Sequence, residues 1–371
     1  MEKLLNVRVL SIQTKTKHYP VILLPSLFTT SDWLNQVQFP SRKVTIVTNS
    51  TVGPLYAQKI IKILKEKDFI PSMVTIPDGE EYKQLNTVEK IYHELLNQGL
   101  DRKGFLIALG GGVITDITGF VASTYLRGIP YFQIPTSLLA QVDSSVGGKT
   151  GVNVEEGKNL IGTFYQPDGV IIGLDFLQSL PDREFREGLS EVIKASLLKG
   201  GEFFEFFRKN ISMILGQDQK TLEEVIYQSI QFKGEIVQED EKESGVRSIL
   251  NYGHTLGHAF EKTLGYGALR HGEAVAVGMI GAAMVAEKMG MISTDLVNIH
   301  QKLLVRCGLP TSFPYSVKAD SFIQSLLKDK KNVSGSLRMV LLKAIGKPVY
   351  STPVEMGLVL DILPQLVEVE P

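Results

Sequence analysis

Between Lys43 and Leu174 short apolar runs alternate with stretches of helical periodicity, and beyond Pro181 the apolar runs all but stop. Short β-rich runs separated by helices are the pattern of a parallel sheet. KVTIVTNS (43–50), SMVTIPDGE (72–80), GFLIALGGG (104–112), PYFQIPTS (130–137) and GVIIGL (169–174) read as strands. Residues 56–69 and 86–100 read as helices between them. Past 181, helical patterns run at 182–199, 202–215, 220–238, 253–265, 272–290, 293–307 and 319–329, and residues 336–347 predict a hairpin. The expected fold is an α/β nucleotide-binding domain with a parallel-type sheet over residues 1–178, followed by an all-α domain over 179–371. A chain of 371 residues suits two domains. Ligands of such folds sit beyond the carboxyl ends of the strands, and often between domains.

Composition narrows the class. With 39 basic against 40 acidic residues the chain lacks the footprint of a nucleic-acid binder. A 43% hydrophobic content at a net charge of −1 argues against disorder. The longest apolar run, 274–286, is too short to span a bilayer and reads as a buried helix. The first residues show no apolar signal segment. One cysteine, Cys307, excludes a disulfide framework and a cysteine-based metal cluster. A cytoplasmic protein without nucleic-acid or membrane partners is expected.

Two glycine runs point to anion chemistry. Gly110-Gly111-Gly112 ends a predicted strand and opens a helix, where free backbone N–H groups favour a phosphate. It is not the GxGxxG dinucleotide fingerprint, and a plain tight turn explains the run equally well. Gly147-Gly148-Lys149-Thr150-Gly151 is reminiscent of a P-loop, but Asp143 stands where that motif needs glycine, so an NTPase is not expected. Lys149 remains a candidate anion contact, with Lys158, Lys194, Lys233 and Arg247.

The histidines carry the sharpest signal. His254, His258 and His271 fall within 18 residues, and the first two, four apart, share a helix face. Converging imidazoles with one carboxylate describe a metal site with an open position. Spacing favours both His254 and His258 as ligands and leaves Glu191, Glu261 and Glu273 as equal carboxylate candidates. His18, His93 and His300 read as ordinary core or surface histidines, and Cys307 as a small buried hydrophobe.

Taken together, DGEEYK (78–83), GGGVITD (110–116), YLRG (125–128), IPTSLLAQVDSSVGGKTGVN (134–153), GKNLIGTFYQP (157–167), LPDREFREGLSEVIK (180–194), RSILNYGHTLGHAFE (247–261), HGEAVAVGM (271–279) and DKK (329–331) resemble the 3-dehydroquinate synthases. The resemblance spans about residues 44–345. It implies conversion of 3-deoxy-D-arabino-heptulosonate 7-phosphate to 3-dehydroquinate and phosphate in the shikimate pathway, by a lyase with an internal redox cycle. It implies NAD, one divalent metal ion (zinc or cobalt) and a homodimer. It places the metal on Glu191, His254 and His271, and makes His258 a catalytic or substrate-contacting residue. It implies NAD contacts at Asp78, Gly79, Glu80, Glu81, Tyr82, Lys83, Gly112, Val113, Ile114, Thr115, Asp116, Thr136, Ser137, Lys149, Lys158, Phe176, Leu177, Gln178 and Ser179. Substrate contacts are implied at Arg127 (from a neighbouring subunit), Asp143, Lys149, Asn159, Lys194, Lys233, Arg247, Asn251, His258 and Lys330. Compared with the family pattern, Asn49 stands where Asp would accept bonds from a ribose, Thr115 where Gly is usual, and Ser137 and Ser179 where Thr is usual. Thr115 is expected to place a Cβ near the pyrophosphate. The rival activities are a sister sugar-phosphate cyclase and a metal- and NAD-dependent polyol dehydrogenase.

Overall fold

A computed structural model describes residues 7–29, 31–265, 268–327 and 337–370. The first elements are strands β1 (Arg8–Gln13), β2 (His18–Leu24), β3 (Lys43–Asn49) and β4 (Ile70–Ile76), with helix α1 (Gln58–Lys65) between the last two. Then come α2 (Leu85–Asn97), β5 (Phe105–Gly110), α3 (Gly112–Thr124), β6 (Tyr131–Pro135), β7 (Lys149–Val154), β8 (Gly157–Phe164) and β9 (Gly169–Gly173). Seven strands form one sheet in the order β1-β2-β9-β6-β5-β3-β4. Every pairing is parallel except the β1–β2 hairpin at the edge.

Residue alternation explains the layers. Along β3, Val44 and Ile46 pack into one core with Ile60 and Leu64 of α1. Val47 faces the other core, with Val88 and Ile91 of α2 and Ile114, Ile117 and Val121 of α3. A sheet covered on both faces needs apolar residues on both, which is why these strands read as continuous apolar runs. Chain order reverses direction between β3 and β5: β4 lies outside β3, whereas β5, β6 and β9 extend the other way. That reversal is where open α/β sheets bind ligands.

The remaining elements are α4 (Asp182–Lys199), α5 (Gly201–Leu215), α6 (Gln219–Glu239), α7 (His254–Leu264), α8 (His271–Lys288), α9 (Thr294–Arg306), β10 (Ser316–Lys318), α10 (Ala319–Leu327), β11 (Arg338–Ala344), β12 (Lys347–Pro353), α11 (Met356–Ile362) and β13 (Glu368–Glu370). Contacts divide the chain into two compact units, Met1–Pro181 with Leu222–Glu241, and Asp182–Thr221 with Lys242–Pro371. A single cut at 178/179 therefore does not describe the packing, because most of α6 belongs with the sheet. Arg8 of β1 pairs with Glu224 at 2.6 Å and lies 3.4 Å over the Tyr227 ring. Just past the helix, nearly buried Glu241 accepts from Thr16 and, at 2.9 Å, from Gln166.

In the second unit α8 is the central helix, buried along nearly its whole length, which suits its run of Ala, Val, Gly and Met. The unit is mainly helical but carries a parallel pair, β10–β13, and an antiparallel pair, β11–β12. Among the described residues no helix is long and apolar enough to cross a membrane.

The structure adds strands that composition hid. Lys149–Val154, read as the tail of a glycine loop, is a strand paired with Gly157–Phe164. The turn is confined to Gly147 and Gly148, whose φ of +110° and +66° suits glycine.

Candidate functional site

In the first unit, the residues expected at a dinucleotide gather past the carboxyl ends of the parallel strands. Asn49 ends β3, Asp78 follows β4, the glycine turn follows β5, Thr136 and Ser137 follow β6, and the short 3-10 helix Leu174–Ser179 follows β9. The glycine turn fits a pyrophosphate on its own geometry. Gly111 has an ordinary φ of −76°, and Gly112 is not among the positive-φ residues. A Cβ on Gly111 would meet Ser137 Oγ at 3.4 Å, and one on Gly112 would meet Ser144 Oγ at 3.5 Å. The fold itself therefore does not require glycine at these two positions. Their lack of side chains leaves the N-terminus of α3 open to a close-approaching anion.

Ile114 and Thr115 point the other way. Both are buried, and the Thr115 hydroxyl donates to the Gly112 carbonyl at 2.9 Å. The expected Cβ obstruction at the pyrophosphate is thus absent, because the side chain turns inward. Val113 stays half-exposed. Phe176 and Leu177 are core side chains, while Gln178 and Ser179 are exposed, with Ser179 bonded to the Tyr56 hydroxyl.

Asn49 has a different task from the one its position suggested. Its Oδ1 accepts the backbone N–H groups of Thr51 (3.2 Å) and Val52 (2.7 Å), and its Nδ2 donates to Asp78 Oδ1 at 2.6 Å. Thr51 donates to the other Asp78 oxygen at 2.7 Å. A buried amide thus holds an exposed carboxylate at the strand ends. An aspartate at 49 would set two like charges together there.

Next to it Gly79 takes φ +131°, and Glu80, Glu81 and Tyr82 form one turn of helix. Asn153 of β7 ties this segment down, donating to Glu80 Oε1 at 2.8 Å and, through its backbone, to the Lys83 carbonyl at 2.7 Å. Buried Lys83 pairs with Asp116. Burial raises the Asp116 carboxyl above its ordinary range, outweighing the Lys83 ammonium beside it.

The expected substrate residues of this unit are partly assembled. Lys233 of α6 donates to the Asp143 carbonyl at 2.6 Å and pairs with its carboxylate. Lys149 is exposed at the start of β7, and Lys158 and Asn159 sit early in β8, Asn159 at φ +54°. Arg127 is exposed at φ +69°, following Leu126 at +49°.

The second unit gathers the metal-type donors. His254, His258 and His271 each offer a ring nitrogen, all within 4.8 Å of one another. α7 and α8 begin at His254 and His271, so two helix starts deliver two of the three rings. Glu191 and Lys194 of α4 form a buried ion pair, each 3% exposed. Lys194 engages Glu191 Oε2. Glu191 Oε1 is buried, has no hydrogen-bond partner, and lies 3.8 Å from His254 Nε2.

An orphaned carboxylate oxygen facing clustered imidazoles is a donor set that could hold a divalent cation. It also separates the three carboxylates that spacing left equal. Glu273 is committed elsewhere: Arg183 binds it at 2.7 and 2.9 Å, and the Arg270 N–H at 3.1 Å. Burial raises its pKa, but the Arg183 bonds outweigh that and hold it below the usual range. Glu261 lies 3.3 Å from His271 Nδ1, where it orients the ring.

Upstream of α7, Arg247 is buried and Asn251 donates to the Glu243 carboxylate and, at 3.2 Å, to the Ser248 carbonyl. Nothing in the spacing marked Glu243 as Asn251's partner. Lys330 lies outside the described residues.

Models of the 3-dehydroquinate synthase N-terminal and C-terminal regions match residues 73–187 and 188–332. A 3-dehydroquinate synthase of Thermodesulfovibrio yellowstonii is 49% identical over 307 residues, covering 83% of this chain and 86% of the relative. The chain belongs to the 3-dehydroquinate synthase family.

Solved structures widen the comparison to cyclases. A 2-deoxy-scyllo-inosose synthase complexed with carbaglucose-6-phosphate, NAD+ and Co2+ has a TM-score of 0.89 at 27% identity, covering 96% of this chain and all of that one. A 2-epi-5-epi-valiolone synthase from Streptomyces hygroscopicus with NAD+ and Zn2+ has a TM-score of 0.87 at 28% identity, covering 97% and 99%. Within this family, the strand-end shelf and the histidine–glutamate pocket are the two features of the chain with evident chemistry.

Proposed function

We propose that the chain converts 3-deoxy-D-arabino-heptulosonate 7-phosphate to 3-dehydroquinate and phosphate, as a carbon–oxygen lyase using NAD and one divalent ion. The observation that carries the reading is the buried Glu191 Oε1, without a hydrogen-bond partner, beside three converging histidines in a chain of this family. Glu191, His254 and His271 would hold the ion, and the strand-end shelf would hold NAD. When bound, NAD would accept and return a hydride at C5, and the ion would act as a Lewis acid for that hydroxyl.

With C5 at the ketone level the C6 proton would be acidic, and the departing phosphate would take it as the C6–H and C7–O bonds break; return of the hydride to C5, ring opening and intramolecular aldol closure would then give 3-dehydroquinate. In the first unit Lys149 and Asn159 would bind phosphate and Lys233 the carboxylate and ring hydroxyls; in the second, Lys194 would bind phosphate and Arg247 the carboxylate and ring hydroxyls. Exposed His258 and half-buried Asn251 would relay the proton of the C5 hydroxyl. Lys194 already supplies the positive charge that buried Glu191 requires.

The chain is proposed to act as a homodimer in which Arg127 serves the partner's site. Exposed Arg127 on left-handed backbone, and the exposed Leu160, Ile161 and Phe164 of β8, support that reading.

The test supplies metal, NAD and substrate, and follows phosphate, dehydroquinate and the NADH band together. Equal amounts of both products without net NADH are expected. Phosphate from a sugar phosphate lacking the carboxylate, with none from the heptulosonate, would identify a sister cyclase. NADH without phosphate would identify a dehydrogenase.

A further inference from the structure

Tyr252 and His300 form a buried polar pair that no step above uses. Tyr252 is 0% exposed and His300, on α9, 1%. The Tyr252 hydroxyl lies 2.9 Å from His300 Nε2 and, more distantly, 3.4 Å from the Met279 carbonyl, and His300 Nδ1 lies 2.7 Å from the Leu296 carbonyl. A carbonyl only accepts, so Nδ1 carries the ring proton and Nε2 accepts from the tyrosine. Burial keeps the imidazole neutral, its pKa lowered to about 4.

The other end of Tyr252 touches the metal-type cluster. Its backbone carbonyl lies 3.3 Å from His254 Nδ1. The same logic puts a proton on His254 Nδ1 and leaves the lone pair on Nε2. That is the nitrogen 3.8 Å from the orphaned Glu191 oxygen.

We propose that His300 is a positioning residue for His254. It anchors the Tyr252 side chain, and the Tyr252 carbonyl then fixes the tautomer and aim of the His254 ring. The inference rests on the metal reading above. A tyrosine–histidine pair that merely filled space would be replaceable by apolar residues at little cost. Here the pair ends on a group that a ligating histidine needs, because partners beyond the ligands typically tune metal affinity 10- to 100-fold.

The experiment uses full-length protein loaded with Co2+, reading affinity by chelator competition and ligand geometry by the visible cobalt spectrum. His300→Phe is expected to weaken cobalt binding about 10-fold and shift the spectrum. His300→Gln, which keeps one donor and one acceptor, is expected to restore most of both. Leu303→Ala, a cavity in the same helix, is expected to lower the melting temperature while leaving affinity and spectrum at wild-type values. Should His300→Phe fail to fold, Tyr252→Phe removes only the hydroxyl and is expected to act in the same direction. Wild-type affinity and spectrum in the foldable variant of these two would overturn the proposal, as would an equal loss in Leu303→Ala. A wild-type chain that takes up no cobalt would overturn the metal reading itself, and this inference with it.

Discussion

The two units prepare their chemistry in opposite ways. In the first, the shelf proposed for the dinucleotide is largely backbone: strand ends, a bare helix start and a few side chains that hold turns. In the second, the pocket is made of side chains, and each is held by another: Glu191 by Lys194, His271 by Glu261, His254 by the Tyr252 carbonyl. A backbone shelf depends on what is missing from it, whereas a side-chain pocket depends on what each group is bonded to. Substitutions that add atoms should therefore harm the first, and substitutions that remove a partner should harm the second.

Four experiments sharpen or break this contrast. The largest effect is expected from Glu191→Gln, which keeps the shape but removes the charge. Metal content should collapse and turnover fall by more than about 100-fold, since even outer partners cost up to that. Retention of metal, read by elemental analysis, would remove Glu191 from the ligand set. Glu261→Gln should act through its His271 contact, weakening metal affinity about 10- to 100-fold with the fold intact by circular dichroism.

In the first unit Gly112→Ala adds one methyl where the protein has room. NAD affinity by calorimetry should drop about 10-fold, or about 1.4 kcal/mol, with no loss of melting temperature. A fall in melting temperature at unchanged affinity would mean that the glycine serves packing.

The smallest effect concerns Glu241, which helps fasten the end of α6 to the sheet unit. Burial raises its pKa, but bonds from Thr16, Gln166 and Thr14 outweigh that and lower it below 4.5. A lowered carboxylate contributes stability above its unfolded pKa and loses it as pH falls through the native value. The wild-type protein should therefore melt about 1–1.5 °C lower per kcal/mol lost as pH drops below that range. Glu241→Gln should flatten this dependence.

Much of the sheet was readable because it is buried on both faces: β3, β5, β6 and β9 fall within a few residues of their apolar runs. β1 escaped because, apart from buried Ile12, its residues alternate between half-exposed and exposed, and β8 because it is exposed along most of its length. The helices past 181 were legible from periodicity, but the allegiance of α6 was not. Its partners, Arg8, Thr16 and Gln166, lie far away in sequence.

At the site, spacing found the three histidines and left three carboxylates equal. Only coordinates show that Glu273 is held by Arg183, and that one Glu191 oxygen has no partner. Asn49 shows the converse case. Its identity read as a weakened ribose contact, whereas its neighbours make it the clamp on Asp78.

The two helices that start at His254 and His271 touch through glycine. A Cβ on Gly278 would stand 2.0 Å from the Gly253 carbonyl oxygen and 2.9 Å from the Gly257 nitrogen. Backbone rests on backbone at Gly278, while the Met279 side chain lies against Gly253 and the Leu256 side chain against Gly281. The gap between the two imidazoles is thereby a machined dimension. Ring rotation can adjust the jaw, but the helices cannot move closer at Gly278 without driving main chain into main chain. In the proposed ligand set a change of ion size would fall to the rings, and a side chain at 278 would open the jaw from behind, a full helix turn and more from His271.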